Sequence, residues 1–150
     1  MIDLSMVAKE LHHRIHLNRG FCSDLQWWSL FLEGWNGLSF VSSLAWSSPG
    51  VVLTSDASGS WGCGAFESAG KWFQIQWLGA LDGAHITVKE LLPVVVACAL
   101  WGSQWRGMTV RCRCDNAAVV AILRSGTSKL PRAMHLMHCL FFLWRITRYT

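Results

Sequence analysis

The chain has 150 residues, 52% of them hydrophobic, and a formal net charge of +4. That is enough for a domain with a packed core, and it excludes a low-complexity or disordered chain. The longest apolar stretch, Leu91 to Trp101, is interrupted by Pro93 and falls short of the roughly 20 residues of a membrane helix, so no membrane span is expected. The first residues mix Asp3, Lys9 and Glu10 and lack the basic-then-apolar order of a secretory signal, so an intracellular chain, cytoplasmic or nuclear, is expected. Of the six cysteines, Cys112 and Cys114 alternate and Cys98 lies in an apolar run, which suits buried free thiols better than a disulfide framework.

In chain order, Leu25 to Glu33 pairs Trp27 with Phe31 and Trp28 with Leu32 at helical spacing, which predicts a helix. Asn36-Gly37 marks a turn and Ser47-Ser48-Pro49-Gly50 a break. Residues 1–46 therefore read as a leading extension and 47–150 as the domain. Strands are expected over Val51 to Asp56, Trp61 to Glu67 and Lys71 to Trp77, and their short Gly/Ser links imply an antiparallel meander. Asp82-Gly83 signals a turn before a helix from about Val88 to Trp101. Proline is tolerated in a first helical turn, so Pro93 predicts a start within a residue or two of Glu90. A strand over Thr109 to Cys114, a helix over Asn116 to Arg124 and a final amphipathic helix over Pro131 to Arg145 follow. The fold class is α/β, a mixed sheet with helices on its faces. The expected strand order is third, second, first, fourth, with the first and fourth parallel across the intervening helix.

Three carboxylates stand out: Asp56 ends the first strand, Glu90 opens the apolar helix and Asp115 ends the fourth strand. Two-metal phosphoryl transfer needs oxygen ligands that hold divalent ions roughly 4 Å apart, and clustered acids at strand and helix ends meet that need. Each has a plainer reading as a turn former or cap. Thr87-Val88-Lys89-Glu90 also fits a capping box, in which the Glu bonds back to the Thr backbone. Charge is uneven: residues 1–105 hold five Lys/Arg against eight Asp/Glu, and residues 106–150 hold eight against one. A basic last third beside clustered acids suits either a polyanion bound across metal ions or a solvated basic face. Arg106, Arg124, Lys129 and Arg132 are the expected phosphate contacts, bordering the acids.

Several short motifs in order then carry a resemblance. Ser55-Asp56-Ala57-Ser58, Gly62-Cys63-Gly64-Ala65, Lys89-Glu90-Leu91-Leu92, and Cys114-Asp115-Asn116 followed by Ala118-Val119-Val120 resemble the successive signatures of ribonuclease H domains. Glu90-Leu91-Leu92-Pro93-Val94-Val95, Leu100-Trp101-Gly102, and Met134-His135-Leu136 with Cys139-Leu140-Phe141-Phe142 are similar to the ribonuclease H domain of retroelement polyproteins of the DIRS class. Trp27-Trp28 through Trp35-Asn36-Gly37 resembles the segment that joins reverse transcriptase to that domain, so the likeness spans about residues 11–145. It implies a ribonuclease H-like fold that hydrolyses the RNA strand of RNA/DNA hybrids with two Mg2+ ions, or Mn2+, held by Asp56, Glu90 and Asp115. Ser58 and Asn116 match positions that approach the nucleic-acid backbone, and the reverse transcriptase domain of the same polyprotein is the implied partner. The family's fourth acid, which follows a last strand, has no counterpart after Asp115. The resemblance therefore implies a domain incomplete at its C-terminus, with the last strand missing and activity impaired.

Two alternatives share the fold: a non-catalytic nucleic-acid-binding or scaffolding remnant, and a transposase or integrase core. The Gly62-Cys63-Gly64-Ala65 hairpin and the Leu-Leu-Pro helix favour ribonuclease H over the latter. His135, His138 and Cys139, with Cys112 and Cys114, could suggest zinc but lack the spacing of a knuckle or finger. His12, His13 and His16 read as surface decoration or backbone contacts. The ten Trp are expected mostly in the core, with one or two exposed rings able to stack on bases.

Overall fold

The computed structural model describes residues 17–34 and 50–149. The chain divides into two compact units, Met1–Ser42 and Ser43–Thr150. His12, His13, His16, the Trp35-Asn36-Gly37 turn and most of the Ser47 to Gly50 break lie outside the described residues.

In the first unit, helix α1 spans Arg19–Glu33, starting ahead of the expected Leu25. The reason is a cap: the Asn18 side chain accepts from the Phe21 N–H at 2.9 Å, satisfying a donor that the first turn leaves unpaired. Trp27 stacks on Phe31 at 4.8 Å, and Trp28 meets the same ring edge-on at 5.7 Å.

In the second unit, strands β1 (Val51–Ala57), β2 (Gly62–Glu67), β3 (Trp72–Gln76) and β4 (Val110–Arg113) form one sheet in the order β3-β2-β1-β4. β1 runs antiparallel to β2 and parallel to β4, and β2 runs antiparallel to β3, in agreement with the order expected from the sequence. Alternation sets the faces: Val51, Leu53 and Ser55 are buried while Thr54 and Asp56 are exposed. Gly62 allows close approach of β3, since a Cβ there would collide with the Ile75 carbonyl.

Helices α2 (Ile86–Trp101), α3 (Ala117–Ser125) and α4 (Pro131–Tyr149) complete the unit. α2 begins earlier than expected, because His85 caps it through Nδ1, which accepts from the Thr87 N–H at 3.2 Å. Pro93 is thereby placed in the helix interior rather than in its first turn. Its missing N–H deprives the Lys89 carbonyl of a partner, a defect of about 3 kcal/mol. Burial of Val88, Leu91, Val94, Val95 and Ala97 on the same helix outweighs it, at roughly 1.5–3 kcal/mol for each large aliphatic side chain.

α2 is the central layer. Through Val94, Ala97 and Trp101 it packs with Val51, Leu53 and Ala65 of the sheet; through Val88 and Leu91 it packs with Val119, Ile122, Ala133 and Met137 of α3 and α4. The helical stretch Ile86–Trp105 is long and apolar enough to cross a membrane, longer than the Leu91 to Trp101 run suggested, but most of it is buried by this packing. α3 ends where Gly126 takes φ +70°, a left-handed conformation that favours glycine, and its N–H caps the Ile122 carbonyl.

All six cysteines are free, yet only Cys63 is fully buried, and Cys112 is exposed because β4 is a sheet edge. The expectation of buried thiols fails there. So does that of core tryptophans: among the described residues Trp101 and Trp105 are buried, whereas Trp28, Trp61, Trp72 and Trp144 are exposed.

Candidate metal-binding site

Because β1 and β4 are parallel, Asp56 near the end of β1 and Asp115 just beyond β4 arrive at the same end of the sheet. Glu90, early in α2, is only 6% exposed, and its Oε2 is buried without a hydrogen-bond partner. Ligand atoms of Glu90, Cys114 and Asp115 all lie within 4.8 Å of one another. Burial raises the Glu90 carboxyl above its ordinary range, and the charges of Asp115 and then Asp56 raise it further; the Ala57 N–H partly offsets this. That same N–H donates to Asp56 Oδ1 at 2.8 Å, so the Asp56 carboxylate turns towards its own backbone.

The tightest trio thus contains Cys114, with Asp56 at its margin, instead of the three acids alone. Cys114 escapes a search for His/Cys spacing; the signal available was its place in the period-two series Val110, Cys112, Cys114, directly before Asp115. Its thiol is pushed up chiefly by burial and also by Glu90, Asp115 and Asp56, while the Asn116 N–H donates to Sγ at 3.4 Å and lowers it. The nearby Cys63 thiol is raised to about 11, by burial and then by Glu90. The capping box does not form, because the Thr87 N–H goes to His85.

A buried carboxylate with an unpaired oxygen beside further acids is unfavourable unless a proton or a cation compensates it. The converging donors are two carboxylates and the Cys114 thiol, with Asp56 nearby; the carboxylates are hard ligands of the kind Mg2+ takes, and the thiol is not.

Ser58 and Asn116 are both engaged locally. Ser58 Oγ accepts from the N–H groups of Ser60 at 3.3 Å and Trp61 at 3.2 Å. Asn116 Oδ1 caps α3, accepting from Ala118 at 3.0 Å and Val119 at 3.2 Å. Behind them Lys89, 6% exposed, donates to the Gly59 carbonyl, a tie that the sequence reading missed. In front, an open depression of about 430 Å³ is lined by Asp56, Ser58, Trp61, Phe66, Trp72 and Gln74, among others. Trp61, Phe66 and Trp72 are 47%, 50% and 69% exposed.

The expected basic rim is only partly assembled. Arg106 precedes β4, and the Val51 N–H bonds to the Thr109 carbonyl at that end, so Arg106 sits at the opposite end of β4 from Asp115. Arg124 is in the last turn of α3, away from the Asn116 cap, and Lys129 is exposed in the link to α4. Arg132 lines an apolar groove with Val88, Leu92 and His135 on the side of α2 facing α4. Arg113, exposed and beside Thr54 in the sheet register, lies two residues before Asp115. Among the described residues no zinc set joins His135 or His138 to Cys112 or Cys114; His135 Nε2 instead meets Cys139 Sγ at 3.9 Å.

No protein-family model, curated protein or solved structure matches this chain.

Proposed function

We propose that residues 47–150 form a ribonuclease H-like domain of retroelement type that hydrolyses the RNA strand of RNA/DNA hybrids. The observation that carries the reading is Glu90: a buried carboxylate with an unpartnered oxygen, facing Asp115 at the sheet end that also bears Asp56. The β3-β2-β1-β4 order with its single parallel pair supports it, since this order brings Asp56 and Asp115 to one end of the sheet. In this reading Asp56, Glu90 and Asp115 hold Mg2+, or Mn2+. The bound ions would supply a nucleophilic water and charge stabilisation at the phosphate. The exposed rings of Trp61, Phe66 and Trp72 offer stacking or sugar contacts, and Arg113 offers a phosphate contact. The reverse transcriptase domain of the same polyprotein is the proposed partner, inside the cell.

The test combines metal binding with cleavage. Mg2+ at a hundredfold its dissociation constant should stabilise the chain by about 2.7 kcal/mol, and Glu90→Gln should abolish that gain. RNA in a hybrid should be cleaved slowly and only with Mg2+, duplex DNA not at all, and Asp56→Asn should end the cleavage. A chain that neither gains stability from Mg2+ nor cleaves the hybrid would refute the reading.

A further inference from the structure

Cys114 distinguishes this cluster from a set of oxygen donors. Its Sγ lies within 4.8 Å of ligand oxygens of both Glu90 and Asp115. Around a tetrahedral Zn2+, with bonds of about 2.0–2.3 Å, adjacent ligand atoms stand about 3.5 Å apart, so small side-chain rotations close the site. Glu90 is only 6% exposed and its Oε2 is buried with no partner, a group that a cation would satisfy. Thiolate is a soft donor that Mg2+ disfavours and Zn2+ or Cd2+ accepts readily, and Zn2+ also binds mixed O/S sites more tightly than hard ions of equal charge.

We propose that Glu90, Cys114 and Asp115 form a three-ligand Zn2+ site with its fourth position open to water, competing with Mg2+ for the same acids. The inference deepens the nuclease reading and rests on it only in sharing those acids. Binding forms a Zn–S bond and breaks the Cys114 S–H bond; the proton passes to solvent, a water leaves the ion, and no oxidation occurs. For a hybrid-cleaving enzyme, Zn2+ would then act as an inhibitor displaced by chelation.

Two measurements on the 150-residue chain test this without substrate. Cd2+ titration should produce an ultraviolet thiolate-to-metal charge-transfer band that saturates at one equivalent. In Cys114→Ser, with its fold checked by circular dichroism, the band should vanish. Independently of any variant, stoichiometric Zn2+ should slow alkylation of Cys114 in the unaltered chain at least about tenfold, while the exposed Cys22 continues to react. Absence of the band, its persistence in Cys114→Ser, or protection of Cys22 instead of Cys114 would each overturn the proposal. Mg2+-dependent hybrid cleavage in a chain that shows no band would overturn the zinc site alone. A band in a chain that never cleaves hybrid would leave the zinc site standing and count against the nuclease.

Discussion

The Lys89 ammonium lies 5.6 Å from the centroid of the Trp77 ring. The same nitrogen donates to the Gly59 carbonyl, and the Trp77 indole N–H donates to the Ser58 carbonyl at 2.7 Å. The β1–β2 turn is thereby tied to the residue preceding Glu90. Lys89→Met keeps the apolar stem but removes the charge-assisted hydrogen bond and the cation–π contact, and should lower stability by about 2 kcal/mol. Urea denaturation will read this as a reduced midpoint at constant m; an unchanged midpoint would mean that the tie contributes nothing.

Glu90 should make the metal-free chain less stable as pH rises. Its folded-state pKa is raised above the ordinary carboxylate value by burial, then Asp115 and Asp56, so the folded state retains a proton that the unfolded state has released. That contribution is fully present below the unfolded value and is lost as pH climbs through the raised folded value. Glu90→Gln, which cannot ionise, should flatten this part of the stability profile and exceed the parent at neutral pH. Melting curves from pH 4 to 8 check it, and parallel profiles for the two chains would contradict the assignment.

Two glycines three residues apart, Gly59 and Gly62, should respond unequally to a methyl group. A Cβ on Gly62 would run into the Ile75 carbonyl, whereas one on Gly59 meets nothing within 4 Å. Gly62→Ala should cost about 1–3 kcal/mol by forcing β2 and β3 apart, and Gly59→Ala should stay within about 0.5 kcal/mol. Equal losses would show that the β2–β3 approach is looser than described.

If the chain binds hybrid, affinity should fall steeply with salt through released counterions. Arg113→Gln should reduce the logarithmic salt slope by roughly one unit, and Arg106→Gln, at the far end of β4, should change it little. Slopes measured by fluorescence anisotropy across several salt concentrations separate the two, and a larger effect from Arg106 would refute the placement of the bound strand.

The sheet was legible because β1 alternates cleanly, with Leu53 buried and Thr54 exposed, and because glycine-containing links leave β1, β2 and β3 no route but a meander. The end of the sheet that carries Asp56 and Asp115 followed from β1 and β4 being parallel. Pro93 misled, because a local rule about proline was outweighed by the apolar surface that the whole of α2 buries on two sides. Cys114 was legible only as a candidate beside His135, His138, Cys139 and Cys112, because its neighbours Glu90 and Asp115 are brought to it by a strand end meeting a helix start and not by spacing along the chain. Composition also gave no sign that Trp61 and Trp72 stand in solvent: a ring's value as core material does not say which face of a strand it occupies.

α2 is shared by the sheet cluster and the α3–α4 cluster, so opening either cluster uncovers one side of the helix that carries Glu90. Amide protons in the middle of α2 should therefore be among the last of this unit to exchange. The geometry around the buried carboxylate would then persist only while both clusters stay closed, and a surface substitution far from the acids would alter the occupied fraction of the site while leaving its shape intact.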